Sequence, residues 1–163
     1  MLEISRAKTK EFQLDYKEGE LVETHPWLVQ RAPQDQIKIM GVFHLVSSKG
    51  RLELLDWIYD TLKPGGQAII QVPCWYNGRA YADPGVQWPP LSWEFFMLAN
   101  KGMRDANIPY LDMHCDFSLA PPAFGYDNND TFVALRNDET KAVLLSRNVN
   151  TATEIFMTLS KPA

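Results

Sequence analysis

The 163-residue chain is 45% hydrophobic and 22% charged, with 9 Gly and 11 Pro for its turns, a composition that suits one soluble domain burying its own core. A formal charge of −4 without any Lys/Arg cluster argues against a nonspecific nucleic-acid patch. No apolar run approaches the roughly 18 residues of a spanning helix and no secretory leader opens the chain, so a cytosolic protein is expected, with Cys74 and Cys115 as free buried thiols.

The first elements are "LEIS", which alternates as a strand, and "FQLD", a second short strand ending in Asp15. The link from Ile4 to Phe12 is too short to hold a crossover helix. Residues 37–46 form an almost continuous run rich in Ile, Val and Phe, which predicts a strand buried on both faces. Ser47 and Ser48 then offer an N-cap, and a helix is expected to about Leu62. Its apolar stripe reads Leu52, Leu55, Ile58, Tyr59 and Leu62, with Glu53, Asp56 and Asp60 off it. "KPGG" stops that helix, because proline lacks an N–H donor and glycine tolerates a left-handed turn. "QAIIQVP" follows as a second buried strand, which completes a βαβ unit and predicts a parallel core.

Residues 91–106 read as one further helix capped by Ser92. "YLDMHCDFS" alternates strictly, with Leu111, Met113, Cys115 and Phe117 on one face, and is expected to be a half-buried strand. A hairpin is expected around residues 137–140, and "TEIFMTLS" as a last strand. The fold class is therefore α/β: residues 1–163 as a single Rossmann-like three-layer α/β/α domain. Its sheet is mainly parallel, with antiparallel C-terminal edge strands.

In this order the pieces resemble the small class I S-adenosylmethionine-dependent methyltransferases. In that family "HVLEH" ends the fourth strand, an amphipathic helix and "LKPGG" follow, and the next strand ends in "VP". Here "HLVSS" (44–48), a helix over 51–62, "LKPGG" (62–66) and "AIIQVP" (68–73) stand in those places. A weaker likeness joins "YADPGVQWPPLSWEFF" (81–96) to the family's "DPTHVR…SFWYF" segment.

The resemblance implies a cofactor site made by Ser5, Ala7, Asp15 and His44, with Asp15 accepting hydrogen bonds from the ribose hydroxyls. It also marks a departure. Where the family has "GCG", whose glycines let backbone approach the cofactor without a Cβ clash, this chain has Ser5, Arg6 and Ala7. The family's "HVLEH" has likewise lost its last two residues to Ser47 and Ser48.

Trp75, Tyr76, Tyr81 and Trp88 crowd the stretch beyond Pro73. They form either an aromatic wall for a planar acceptor, a small core of the loop itself, or a surface for a protein partner. Asp112, His114 and Asp116 share the polar side of their alternating run but lack a fourth ligand, so no metal site is expected. Two functions stay open: methyl transfer from S-adenosylmethionine to an unidentified acceptor, and a binding or assembly module that keeps the fold without the chemistry.

Overall fold

Alternation of apolar and polar side chains sets the sheet. A computed structural model describes residues 2–5, 33–82, 85–125 and 152–163. The strands are β1 (Leu2–Ser5), β2 (Gln34–Met40), β3 (Leu62–Pro73), β4 (Ser118–Leu119), β5 (Ala123–Gly125) and β6 (Glu154–Ser160). They form one sheet in the order β1-β2-β3-β6-β4, with β5 also on β6. The β1–β2 and β2–β3 pairs are parallel, whereas β6 runs antiparallel to β3, β4 and β5. The result is a mixed α/β sheet of Rossmann-like character. The expected hairpin at 137–140 and the expected strand ending at Asp15 lie outside the described residues.

The register explains the core. Ile37, Ala68 and Leu159 lie side by side, as do Ile39, Ile70 and Met157, and all are buried. Their neighbours Lys38, Ile69 and Thr158 share the opposite face and are only half-buried. The expectation that these strands are buried on both faces is corrected: burial alternates along β2 and β3, because the core cluster gathers one face of the sheet. That cluster unites the buried face with Leu54, Leu55 and Ile58 of helix α1 (Ser48–Thr61) and Phe96 of helix α3 (Trp93–Met97).

Helix α1 starts where the sequence places it, with the Ser47 hydroxyl accepting the Gly50 N–H at 3.2 Å. Its buried stripe is Arg51, Leu54, Leu55, Ile58 and Thr61, so the stripe is rotated from the expected one and takes in an arginine. "KPGG" does more than end the helix. Gln34 faces Leu62 and Gln36 faces Gln67, so residues 63–66 bulge out of the ladder. Gly65 takes a φ of +78°, and a Cβ on Gly66 would lie 2.9 Å from the Lys63 carbonyl and 3.1 Å from that of Asp35.

Three further expectations change. The apolar run 37–46 is a strand only to Met40; Gly41, at φ +67°, turns the chain into a 3-10 turn at Phe43–Leu45. The helix expected over 91–106 is two, α3 and α4 (Lys101–Asn107), because the Asn100 side chain accepts the Met103 N–H at 3.0 Å and starts a new helix. A short α2 (Arg79–Ala82) precedes them in the loop.

Residues 111–117 keep their alternation, with Met113, Cys115 and Phe117 buried, yet they join no strand. Their backbone is satisfied by side chains and by another loop. Asp56 accepts the N–H groups of His114 (3.1 Å) and Cys115 (2.8 Å), and Arg104 donates to the carbonyls of Met113 and Cys115, each at 3.0 Å. The Phe117 N–H meets the Ala99 carbonyl. Charged groups thus do here what a neighbouring strand would do.

Candidate functional site

In open α/β sheets ligands gather beyond the carboxyl ends of the parallel strands. Here β1 and β2 end side by side, Ser5 opposite Met40, and Met40 lies opposite Gln71 near the end of β3. Past these ends come the turn at residues 41–46 and the long loop after Pro73. Of the cofactor residues expected from the sequence, Ser5 is at the tip of β1, whereas Ala7 and Asp15 lie outside the described residues.

His44 does not sit at a strand end as expected. It lies in the 3-10 turn and is only 4% exposed, between the equally buried Phe43 and Leu45. Its carbonyl accepts from the Gln87 N–H at 3.0 Å and from Arg51 Nη2 at 3.0 Å. Gly41, at φ +67°, ends the strand three residues before the histidine, which therefore falls in the turn.

Arg51 organises this end of the molecule. The side chain is 1% exposed and its guanidinium also reaches the carbonyls of Gln87 (2.7 Å, Nη2) and Pro89 (2.8 Å, Nη1). Burial brings it down from its ordinary value to about 10, which leaves it charged at neutral pH. Ser48 Oγ adds a bond to the Trp88 carbonyl at 3.1 Å. Three successive carbonyls, 87 to 89, are thereby tied to the first turns of α1 and to the turn that holds His44. Arg51 was not singled out in the sequence; its signal was a position in register with the apolar side chains at 54, 55 and 58.

The aromatic loop divides into two roles. Trp75 is half-buried against the core, tilted against the Tyr76 ring at 4.7 Å and the Phe124 ring at 6.4 Å, and its carbonyl accepts the Tyr81 hydroxyl at 3.1 Å. Asn77 is buried beside it and its amide donates to the Ala152 carbonyl at 3.0 Å. Tyr76, Tyr81 and Trp88 are exposed, Trp88 at 75%. The loop is therefore both a small core and a surface of aromatic rings.

A separate cleft of about 490 Å³ opens beside α1, lined by Lys49, Leu52, Glu53, Asp56, Asp112, Met113 and His114. The His114 ring bridges two α1 carboxylates, Asp56 through Nδ1 at 3.3 Å and Asp60 through Nε2 at 2.9 Å. Among the described residues no group of three or more His, Cys, Asp or Glu is placed to hold a metal ion. Likewise no described helix is long and apolar enough to cross a membrane. Cys74 and Cys115 are free and buried, and burial together with the Asp56 charge pushes the Cys115 thiol up to about 12.

No protein-family model matches the sequence, and no curated protein does. Solved structures do resemble the fold. A S-adenosylmethionine-dependent methyltransferase from Archaeoglobus fulgidus matches with a TM-score of 0.51 and 15% identity, over 83% of this chain and 63% of that one. A complex containing a methyltransferase activator from Haloferax volcanii matches with a TM-score of 0.46 and 14% identity, over 80% of this chain and 55% of that one. The 16S rRNA methyltransferase KamB gives 0.42 and 13%, over 81% of this chain and 57% of that one. The first of these bears on the fold: the chain has a class I methyltransferase-like α/β fold, and it spans less than two thirds of the length of the structures it resembles.

Proposed function

We propose that this chain is a S-adenosylmethionine-dependent methyltransferase-type protein, residues 1–163 working as one domain. The cofactor site lies beyond the carboxyl ends of β1 and β2, and the acceptor is taken up at the aromatic loop. The observation that supports this reading is the joint ending of three parallel strands at Ser5, Met40 and Pro73, with that loop beginning immediately past the third. Ser5 ends β1 at that edge of the sheet, opposite Met40. His44 fits such a ligand less well, since its ring is enclosed and its carbonyl is already engaged.

When bound, the cofactor supplies a methyl group on a sulfonium leaving group, so the protein has little bond-making chemistry of its own to perform. The chain's residues orient and shield. Asp15 is the acceptor for the ribose hydroxyls, Ser5 and Ala7 flank the cofactor, and the braced 87–89 segment holds one wall of the acceptor side against α1.

The buried His44 and the Ser5-Arg6-Ala7 sequence favour a second reading, a binding or assembly module that retains the fold without catalysis. Calorimetric titration with S-adenosylmethionine and with its demethylated product separates the two. Micromolar affinity supports the enzyme; no heat at millimolar ligand leaves only the second reading.

A further inference from the structure

We propose that the cavity between α3 and α4 binds a small apolar amine, its hydrocarbon end among Phe95, Met97 and Met103 and its ammonium at the carboxylate of Glu94. The site is independent of the proposed cofactor site, being built without any residue of the strand ends.

Four apolar side chains here are not spent on the core. Among the described residues, Met97, Leu98, Met103 and Ile108 belong neither to the core cluster nor to the half-buried hydrophobics packed against it, and Met103 is 37% exposed. They line one cavity of about 340 Å³ instead. Keeping that apolar surface against water costs stability, whereas an apolar ligand recovers it. The volume lies at the lower end of the roughly 300–1,000 Å³ of small-molecule sites, which suits a ring with a short alkyl chain.

The cavity has a fixed floor and adaptable walls. Phe95 is held by the rings of Phe43 and Phe96, at centroid distances of 6.2 and 5.4 Å, both edge-to-face. Met97 and Met103 are unbranched thioethers, which adjust to the shape of a ring and pack well against its edge.

The polar lining selects the charge. It consists of Glu94 and Asn107, with no Lys, Arg or His. Glu94 is exposed, and a hydrogen bond from Ser92 holds its carboxyl below the usual carboxylate range, so it is ionised at neutral pH. A carboxylate with that one bond keeps acceptor capacity to spare. The Asn107 amide donates to the Met103 carbonyl at 2.7 Å within its own helix, and its side-chain oxygen is a further acceptor. Arg104 of the same helix is committed elsewhere, to the carbonyls of Leu98, Met113 and Cys115. An apolar cavity edged by acceptors and a negative charge complements an amphiphilic cation and opposes a carboxylate or a phosphate.

The test uses the full chain with methyl-labelled methionine, whose six methionines report by methyl NMR, the lines of Met97 and Met103 assigned by Met97→Leu and Met103→Leu. Phenylbutylamine, phenylbutanol and phenylbutanoate carry the same hydrocarbon on a cationic, a neutral and an anionic head. The amine is expected to shift both lines saturably at millimolar concentration or below, the alcohol to bind about three- to fivefold more weakly, and the acid not to bind. Glu94→Gln, at an exposed position, should remove the advantage of the amine and leave the affinity for the alcohol unchanged. Met103→Lys, which sets a cation in the wall, should abolish amine binding while the line of the buried Met157 stays as in wild type. Should either variant fail to fold, the other decides.

Equal affinity for the three probes, no shift of either line, or an advantage of the amine that survives Glu94→Gln would overturn the proposal. So would shifts of the same two lines on concentrating the protein alone, which would make the groove a contact between copies of the chain. An amphipathic peptide that binds there more tightly than the amine would also overturn it, in favour of a protein partner.

Discussion

Asp56 and Arg104 grip the same three residues from opposite backbone edges. The carboxylate of Asp56 accepts the N–H groups of His114 and Cys115, while the guanidinium of Arg104 donates to the carbonyls of Met113 and Cys115 and to that of Leu98. The segment they hold lies between α1 and α4 and brings Phe117 against the ring of Tyr59 at 5.0 Å. Neither residue belongs to the sheet, yet together they fasten a chain segment as a strand pair would.

Arg104→Met should therefore cost roughly 3–5 kcal/mol, since two buried carbonyls and a part-buried one lose their donor at once. Arg104→Lys should cost less, because one ammonium can still serve one carbonyl. Urea unfolding of both variants beside Asp112→Ala, an exposed neighbour, checks the order. A loss from Arg104→Met no larger than that from Asp112→Ala would show that solvent satisfies those carbonyls.

His114 carries a pH dependence whose sign follows from its partners. The hydrogen bond to Asp60, and then the charge of Asp56, raise it above its ordinary 6.5. A raised folded value means the protonated bridge stabilises fully below about 6.5 and is lost as pH rises through the folded value. Because the ring is largely exposed, the gain is small. The stability gap between wild type and His114→Gln should be measurable at pH ~5.5 and shrink by pH ~8.5. Adding Asp60→Asn should flatten it, and a gap that is the same at both pH values refutes the bridge.

The bulge at 63–66 predicts two different glycine effects. Gly66→Ala forces a Cβ onto two backbone carbonyls within 3.1 Å and should cost roughly 2–4 kcal/mol, since β2 and β3 must part. Gly65→Ala meets no atom within 4 Å and pays only for its positive φ, about 1 kcal/mol. Thermal unfolding distinguishes them, and equal losses would deny the close crossing.

Cofactor affinity is expected to depend on Asp15. If the proposed function holds, Asp15→Ala should weaken S-adenosylmethionine binding by about tenfold or more, through loss of charge-assisted bonds to the ribose. Calorimetry on both proteins reads this directly; unchanged affinity would move the ribose elsewhere.

Both thiols should resist modification in the native state. Cys74 and Cys115 are enclosed and their thiolates are disfavoured by burial. A colorimetric disulfide reagent at pH ~8 should therefore react only on addition of denaturant. Rapid labelling of the native protein would indicate an opening of the core.

Parts of this fold were legible because they rest on local signals. Ser47 before an amphipathic run starts α1 as read, the helix stops at Thr61 just ahead of Lys63, Pro64, Gly65 and Gly66, and the alternation of 154–160 appears as β6. The same signals misled where a second residue overrode them. The run 37–46 looks like one strand because hydropathy does not register a glycine at φ +67°, and residues 111–117 alternate like a strand because burial on one side imposes that pattern without any ladder. Of the candidate site, the ends of β1 and β3 were readable, but the end of β2 at Met40 and the inward turn of His44 were not.

The sequence by itself determined which segments could become helix or sheet and which side of each would be dry, because periodicity and capping are properties of neighbours along the chain. Only the tertiary structure decided what the charged side chains do. Whether an arginine at 51 or 104 is a solvated cation or the knot binding three carbonyls depends on chain segments from 6 to 38 residues away, and no local pattern encodes that proximity.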